Sequence, residues 1–154
     1  MTNIRDATLE DIPELIQLGL DFHKEANLSW FAEVDVSSWE ATIEAMVTKD
    51  PHDAIFVVAE DEEKIVGMLC AIIVPWYANF HHLLAHELVM YVDEQHRAKS
   101  IGGQLLSAFE ERAIEKGVNG MLVGAKTEMR IEKMTKAYAR RGYRELERYY
   151  VKRA

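Results

Sequence analysis

The chain reads Met90-Tyr91-Val92-Asp93-Glu94-Gln95-His96-Arg97-Ala98-Lys99-Ser100-Ile101-Gly102-Gly103 where an apolar run gives way to a helical pattern. Residues 84–92 have the length of a strand, and residues 101–116 repeat an apolar side chain every four positions before Gly117. Small residues at the junction leave the first backbone N–H groups of the helix uncovered, which makes an anion site. A pyrophosphate suits this site, although a tight strand-to-helix turn that needs small residues for packing explains the same pattern.

Patterns on either side of this junction predict an α/β (α+β) fold with one mixed sheet and helices on both faces. The predicted strands are residues 4–7, 54–59, 64–74, 84–92, 121–125 and 148–152. The predicted helices are residues 12–22, a helix from Ser37 or Ser38 that stops before Asp50-Pro51, and residues 101–116 and 130–141. The order is β-α-α-β-β-β-α-β-α-β. Residues 54–74 form an antiparallel hairpin, whereas residues 84–125 form a parallel βαβ unit.

Length and charge are typical of one globular domain, residues 1–154, with an acidic surface and a formal net charge of −8. Nucleic acid is excluded as a partner because phosphate binding needs clustered Lys and Arg, whereas a cationic substrate suits the charge. The single cysteine, Cys70, excludes a disulfide framework and indicates a reducing compartment. No apolar run is long enough to span a membrane, and no signal-peptide pattern is present. We therefore expect a cytoplasmic protein without a membrane partner.

Two known phosphate-binding loops do not fit the junction. The Walker pattern needs Gly-Lys-Ser/Thr after its glycines, and the chain has no such sequence. The dinucleotide fingerprint needs three glycines early in a βαβ fold, whereas this loop lies late in the chain.

Three motifs occur in the order found in one enzyme superfamily. They are Ile4-Arg5-Asp6-Ala7-Thr8-Leu9-Glu10-Asp11, then Arg97-Ala98-Lys99-Ser100-Ile101-Gly102, then Tyr138-Ala139-Arg140-Arg141-Gly142-Tyr143. The second matches the coenzyme motif Gln/Arg-x-x-Gly-x-Gly/Ala, and the third matches a late helix ending Tyr-x-x-x-Gly-Phe/Tyr. In these motifs the chain resembles the GNAT (Gcn5-related) N-acetyltransferase superfamily over essentially its whole length.

The resemblance implies acetyl-CoA as co-substrate and assigns roles by position. The pantetheine arm would lie along the backbone of Met90, Tyr91 and Val92, which would also polarise the thioester carbonyl. Tyr138 would protonate the leaving thiolate. The pyrophosphate would be held by the backbone amides of Arg97, Ala98, Lys99, Ser100, Ile101, Gly102 and Gly103.

Transfer to an amine needs a base, because an alkyl amine with a pKa of about 10 arrives protonated. His86 and Glu87 are the candidates, and as neighbours on a strand they point to opposite faces. Counting by twos along the strand places His86 on the same side as Met90. His86 also occupies the position at which some members of the resembling family carry a glutamate base. This favours His86 narrowly over Glu87. A base from the substrate loops is an equal alternative, and both residues also fit ordinary polar positions at a strand end.

The chain departs from the family pattern at two positions. Ser100 replaces the first glycine of the coenzyme motif and would be strained if that position needs a positive φ. Ile131 stands seven residues before Tyr138, where the family often has an asparagine.

The acceptor site of the resembling family lies in the connections after the first helix and before the coenzyme strand. Substrate-binding candidates there are Trp30, Phe31, Glu33, Trp76 and Tyr77, with Phe80 and Glu25 nearby. Aromatic and acidic side chains suit a cation, although Trp30 and Trp76 could equally cap the core. His81, His82 and His86 are close in sequence, but no metal is expected because the segment reads as loop and strand and His-Glu-x-x-His is incomplete.

Three functions are compatible with the sequence, and we expect the first, that of an enzyme. The first is acetyl-CoA-dependent transfer of an acetyl group to a primary amine, by direct attack through a tetrahedral intermediate. The second is a catalytically silent CoA-binding or protein-interaction module, and the third is a phosphate- or nucleotide-binding regulator. The acceptor would be a small-molecule or protein amine, and a homodimer is the default oligomer.

Overall fold

Helices and strands follow one another largely as the sequence predicts. The computed structural model describes residues 1–48 and 53–154. Its strands are β1 (Asn3–Asp6), β2 (Ala54–Asp61), β3 (Lys64–Trp76), β4 (Asn79–Val92) and β5 (Gly120–Leu122). Its α-helices are α1 (Ile12–Glu25), α2 (Val36–Thr48), α3 (Ile101–Glu115) and α4 (Ile131–Arg140). Two 3₁₀-helices, Leu9–Asp11 and Glu94–Lys99, precede α1 and α3. The predicted stop of α2 before Asp50-Pro51 lies outside the described residues.

The five strands form one sheet in the order β1-β2-β3-β4-β5. The pairs from β1 to β4 are antiparallel, and β4 and β5 are parallel. The chain crosses from β4 to β5 through α3, which confirms the predicted mixed sheet and its βαβ unit.

Helices cover both faces of the sheet, as predicted. We call the face under α1 and α2 the α1 face, and the face under α3 and α4 the α3 face. The α1 face buries Leu15, Leu18, Phe22, Ile43, Phe56, Val58, Met68, Cys70 and Tyr91. The α3 face buries Val57, Val66, Leu69, Ala85, Ile101, Leu105, Phe109 and Tyr138.

A β-bulge in β4 changes which side chains share a face. Cys70 of β3 lies opposite Val89 and the next residue, Ala71, lies opposite Glu87, so Leu88 is an extra residue. Glu87 and Met90 therefore both lie on the α3 face, and His86 lies on the α1 face. The expectation that His86 shares a side with Met90 is wrong, because counting by twos cannot anticipate an inserted residue.

The predicted last strand, residues 148–152, is not formed. Residues 144–154 are without regular structure, and Leu146, Tyr149, Tyr150 and Val151 are 51–90% exposed. The predicted order β-α-α-β-β-β-α-β-α-β is thus correct up to its final β. A residue's preference for extended backbone does not form a strand unless a sheet edge pairs with it.

Replacing Gly19 by alanine should destabilise the packing of α1 on α2. A Cβ on Gly19 would lie 2.2 Å from Nε1 of Trp39, whose rigid indole donates a hydrogen bond to the Leu15 carbonyl at 3.2 Å. We expect Gly19→Ala to lower the free energy of unfolding by about 1–3 kcal/mol in urea denaturation. Gly103→Ala is the matched control, since its Cβ would meet nothing closer than 3.8 Å. Equal effects of the two substitutions would contradict this account.

Candidate active site

A slot opens where β5 ends and β4 continues. The last parallel pairs are Leu84 with Gly120, Ala85 with Met121 and His86 with Leu122. Beyond them, in the described part of the chain, β4 pairs with β3 alone up to Val92. Because a strand directs its backbone groups alternately to its two neighbours, some groups of residues 87–92 face this β4–β5 slot. An extended ligand can hydrogen-bond there as an added strand would.

The N-terminus of α3 adjoins Met90 on this strand. A Cβ on Gly102 would lie 3.4 Å from Cε of Met90, so the helix terminus packs closely on β4. The first-turn amides of Ile101, Gly102 and Gly103 have no partner within an α-helix. By contrast, the amides of residues 97–99 lie in the 3₁₀-helix, whose i→i+3 pattern uses them internally.

Ser100 joins the two helices in the left-handed region, with φ 59° and ψ 20°. Its carbonyl accepts the first helical hydrogen bond, from Gln104 at 3.2 Å. The positive φ is the condition under which the sequence predicts strain at Ser100, because a Cβ is unfavourable there.

The basic side chains of the loop are engaged in ion pairs. Both terminal nitrogens of Arg97 contact Glu25 at 2.5 Å, its Nε donates to the Val92 carbonyl at 2.9 Å, and it lies over the Tyr91 ring. Arg97 holds the pKa of the Glu25 carboxyl below its usual value. Anion binding at this loop therefore depends mainly on backbone N–H groups and the dipole of α3.

Lys99 is paired in the same way. Its Nζ lies 2.5 Å from the carboxylate of Asp61, at the end of β2. The Lys99 ammonium holds the pKa of Asp61 below its usual value. The loop is thus tied to the β2–β3 turn as well as to α1.

Tyr138 and Glu87 meet at the apex of the slot. The Tyr138 hydroxyl donates to the Gly124 carbonyl at 2.7 Å, and Glu87 Oε2 accepts from the Gly124 amide at 2.7 Å. Both side chains are 8% exposed. Burial raises the pKa of Glu87, and the Gly124 N–H lowers it. Burial, and after it the charge of Glu87, raise the pKa of Tyr138, so its phenol is protonated at neutral pH.

His86 lies on the opposite face from Tyr138 and Glu87. A small apolar cavity of about 130 Å³ occupies that α1 face, lined by Gly19, Phe22, Val34, Trp39 and Val89. The two candidate bases are therefore separated by the backbone of β4, as their adjacent positions predict.

The predicted acceptor residues form two separate groups. Trp30, Phe31 and Glu33 lie between α1 and α2, whereas Trp76 and Tyr77 lie at the β3–β4 turn. Ring centroids within each group are 6.2 Å and 5.5 Å apart, and no aromatic contact joins the groups among the described residues.

Trp30 and Trp76 are 48% and 43% exposed, so the alternative that they cap the core is wrong. Trp76 and Phe80 are strand residues rather than loop residues, because β3 and β4 run further than the sequence predicts.

No group of three or more His, Cys, Asp or Glu residues is arranged to hold a metal within residues 1–48 and 53–154. His82 and His86 both lie in β4, where a four-residue separation spans about 13 Å. In the same described ranges, no helix has the length and apolar character needed to cross a membrane.

Sequence reasoning missed several contacts that shape the site, including the pairing of Glu25, an expected acceptor-site residue, with Arg97. Glu25 and Asp61 lie 72 and 38 residues from their partners, and no local signal connects them. Arg141 donates to the Gly103 carbonyl at 2.8 Å and to Glu110 at 2.7 Å, which braces the start of α3. Gly124 was assigned to a predicted strand, although a glycine at a strand end is a known signal of an irregular backbone.

The site combines a mixed sheet that opens beside a helix N-terminus with a buried tyrosine at the opening. A family model for the acetyltransferase (GNAT) family matches residues 19–143, most of the chain. The chain belongs to the GNAT acetyltransferase family and is an acyltransferase by class. No curated protein matches the sequence.

Solved structures share the fold at low identity. An aminoglycoside acetyltransferase from an uncultured soil metagenomic sample has a TM-score of 0.75 at 17% identity, covering 100% of this chain and 99% of that one. The ribosomal-protein-alanine N-acetyltransferase of Brucella melitensis gives 0.72 at 18% identity, covering 100% and 99%. A predicted acetyltransferase from Clostridium acetobutylicum, solved with acetyl-CoA, gives 0.73 at 16% identity, covering 98% and 95%.

Relieving the strain at Ser100 should stabilise the fold. We expect Ser100→Gly to raise the free energy of unfolding by about 1 kcal/mol, because glycine accepts a positive φ without a Cβ clash. Ser100→Ala separates this effect from loss of the hydroxyl, since alanine keeps the Cβ and should show no gain. Urea denaturation measures both variants, and a gain in Ser100→Ala as large as in Ser100→Gly would refute the explanation.

The Glu25–Arg97 pair should make stability depend on pH. Because the pKa of folded Glu25 is depressed from 4.5, its contribution is present above about pH 4.5 and is lost as pH falls through the folded pKa. We expect Glu25→Gln to lower stability at pH 7 and the difference from wild type to shrink at pH 3.5. Glu33→Gln, on an exposed loop residue, is the control and should change neither value. Denaturation midpoints at the two pH values give the comparison, and a constant difference would count against the pair.

Proposed function

We propose that this chain transfers the acetyl group of acetyl-CoA to a primary amine by direct attack. The observation that carries the proposal is the buried, protonated Tyr138, whose hydroxyl lies at the apex of the β4–β5 slot, 2.7 Å from the Gly124 carbonyl. An acid at this position can reach the sulfur of a thioester that lies along β4.

Coenzyme binding would use two features of the slot. The pantetheine arm would pair with the backbone of Met90, Tyr91 and Val92, and the pyrophosphate would sit at the amides of Ile101, Gly102 and Gly103. Family membership and the acetyl-CoA in the Clostridium acetobutylicum structure support this assignment. The paired side chains of Arg97 and Lys99 contribute by fixing the loop rather than by contacting phosphate.

The proposed reaction has a simple proton balance. The amine, once deprotonated, attacks the thioester carbonyl carbon, and a backbone N–H of β4 donates to the oxyanion of the tetrahedral intermediate. The intermediate collapses as the C–S bond breaks, and the departing sulfur takes the proton of Tyr138. Before the attack, the substrate ammonium loses one proton to a base or a water molecule on the α1 face, where His86 is the candidate. After the attack, the nitrogen loses a second proton to solvent and Tyr138 regains one from solvent, so acetyl-CoA and the ammonium yield the amide, the CoA thiol and one proton.

The acceptor would approach from the α1 face, past the cavity that Val89 helps to line. A net charge of −8 and the exposed aromatic rings of Trp30 and Phe31 favour a cationic amine. Structural neighbours include an acetyltransferase of aminoglycosides and one of a ribosomal protein's alanine, so small-molecule and protein amines both belong in an acceptor screen.

Tyr138→Phe should separate catalysis from binding. We expect kcat to fall about a hundredfold or more while the Kd for acetyl-CoA changes little, because the phenol acts on the leaving group. Since the pKa of Tyr138 is raised, its ionisation should cause no loss of wild-type activity below about pH 10. Tyr143→Phe is the matched control, a neighbouring half-buried tyrosine whose hydroxyl lies 3.8 Å from the Met121 sulfur, and it should keep its kcat. Equal loss in both variants would remove Tyr138 from its role.

Calorimetric titration with acetyl-CoA, and with ATP as a control, tests the coenzyme. Micromolar binding of acetyl-CoA, about −8 kcal/mol, with turnover of an amine supports the proposal. Binding without turnover of any amine would indicate a silent CoA-binding module. Binding of ATP alone would refute acetyl transfer.

A further inference from the structure

Glu87 stands where the parallel ladder between β4 and β5 stops. His86 pairs with Leu122, and the next residue of β4 is Glu87. In a continuing ladder the following amides of β5 would bond to carbonyl oxygens of β4. Instead the Gly124 amide donates to the Glu87 side chain, at 2.7 Å from Oε2. A side-chain oxygen thus takes the place of a backbone oxygen as the partner of the Gly124 amide.

The other polar group of Gly124 is held in the same region. Its carbonyl accepts from Tyr138 at 2.7 Å, so one residue has both of its backbone groups bonded to side chains. A Cβ on Gly124 would lie 3.4 Å from Glu87 Oε2, which shows how closely the carboxylate packs on this backbone. Glu87 therefore fixes Gly124, and Gly124 fixes the hydroxyl of Tyr138.

The surroundings of Glu87 suit a structural acceptor better than a base for the amine. The β4 bulge places it on the α3 face with Tyr138, and His86 and the apolar cavity lie on the other face. Its side chain is only 8% exposed, and no ion pair to it occurs within residues 1–48 and 53–154. Its hydrogen bond goes to a backbone amide.

We propose that Glu87 is a positioning residue whose carboxylate replaces the β4 backbone as partner of the Gly124 amide, wedges β5 away from β4 and so holds the slot open. The proposal rests on the proposed acetyl transfer for the use of the slot. It assigns to Glu87 the width of the slot and the placement of Tyr138, and it leaves proton removal from the amine to a group on the α1 face.

Three substitutions distinguish a wedge from a proton acceptor. Glu87→Gln keeps the size and an oxygen that accepts from Gly124, and loses the negative charge and the ability to take a proton. Glu87→Asp keeps the charge and withdraws the oxygen by one methylene, and Glu87→Ala removes the acceptor. For a wedge, Glu87→Gln should keep kcat within about threefold and an unchanged pH profile, whereas the Asp and Ala variants should raise the KM and Kd for acetyl-CoA tenfold or more.

Glu14→Ala is the matched control. Glu14 Oε2 accepts from the Ile65 amide at 2.9 Å, so this variant removes a similar carboxylate-to-backbone bond away from the slot. It should lower the thermal midpoint without changing the KM for acetyl-CoA. A hundredfold loss of kcat in Glu87→Gln with normal Kd would overturn the wedge in favour of a proton acceptor. Wild-type KM and Kd in the Asp and Ala variants would overturn it as well.

Hydrogen exchange tests the wedge without an activity assay. In the unliganded protein the Gly124 amide should be protected in wild type and Glu87→Gln, and should exchange at least tenfold faster in Glu87→Asp or Glu87→Ala. Equal exchange in all four proteins would overturn the inference. Because this measurement needs no coenzyme, it stands if wild-type protein fails to bind acetyl-CoA, an outcome that would refute only the proposed function.

Discussion

One extra residue in β4 determines how the site is divided. With Leu88 inserted, Glu87 and Met90 lie on the α3 face and His86 lies on the α1 face. Met90 thereby shares a face with Tyr138, the acid that would protonate the leaving group, whereas the side chains that would meet the amine lie across the strand. The backbone between them is where a thioester carbonyl would lie. In a regular strand Met90 would lie beneath α1, and its contact with Gly102 on the α3 face would be lost.

Charge is used in this site to fix the backbone. Arg97 and Lys99 form ion pairs with Glu25 and Asp61, which belong to α1 and β2. The loop before α3 is therefore connected to two other elements before any ligand binds. Its anion affinity then comes from N–H groups that need no rearrangement, a form of preorganisation that lowers the entropic cost of binding.

Local patterns predicted much of this structure. The β2–β3 hairpin and α3 follow from β-branched runs and apolar spacing, and the position of Tyr138 follows from a motif that spans six residues. The bulge at Leu88, the partners of Arg97 and the bonds of Gly124 depend on residues far apart in sequence, and no local pattern encodes them. Residues 148–152 show the reverse case. Their composition predicts a strand, but they do not pair with the sheet.

The reactivity of Cys70 reports on the opening of the core on the α1 face. It is the chain's single cysteine and is fully buried opposite Val89, and burial raises its pKa to about 12. The thiolate is the nucleophile that reacts with thiol reagents, and it is scarce here and shielded from solvent. Alkylation of Cys70 therefore requires an opening of the α1 face, where its side chain is buried. The rate at which Cys70 is alkylated therefore measures how often the packing opens on the α1 face, next to the strand on which the two sides of the site are built.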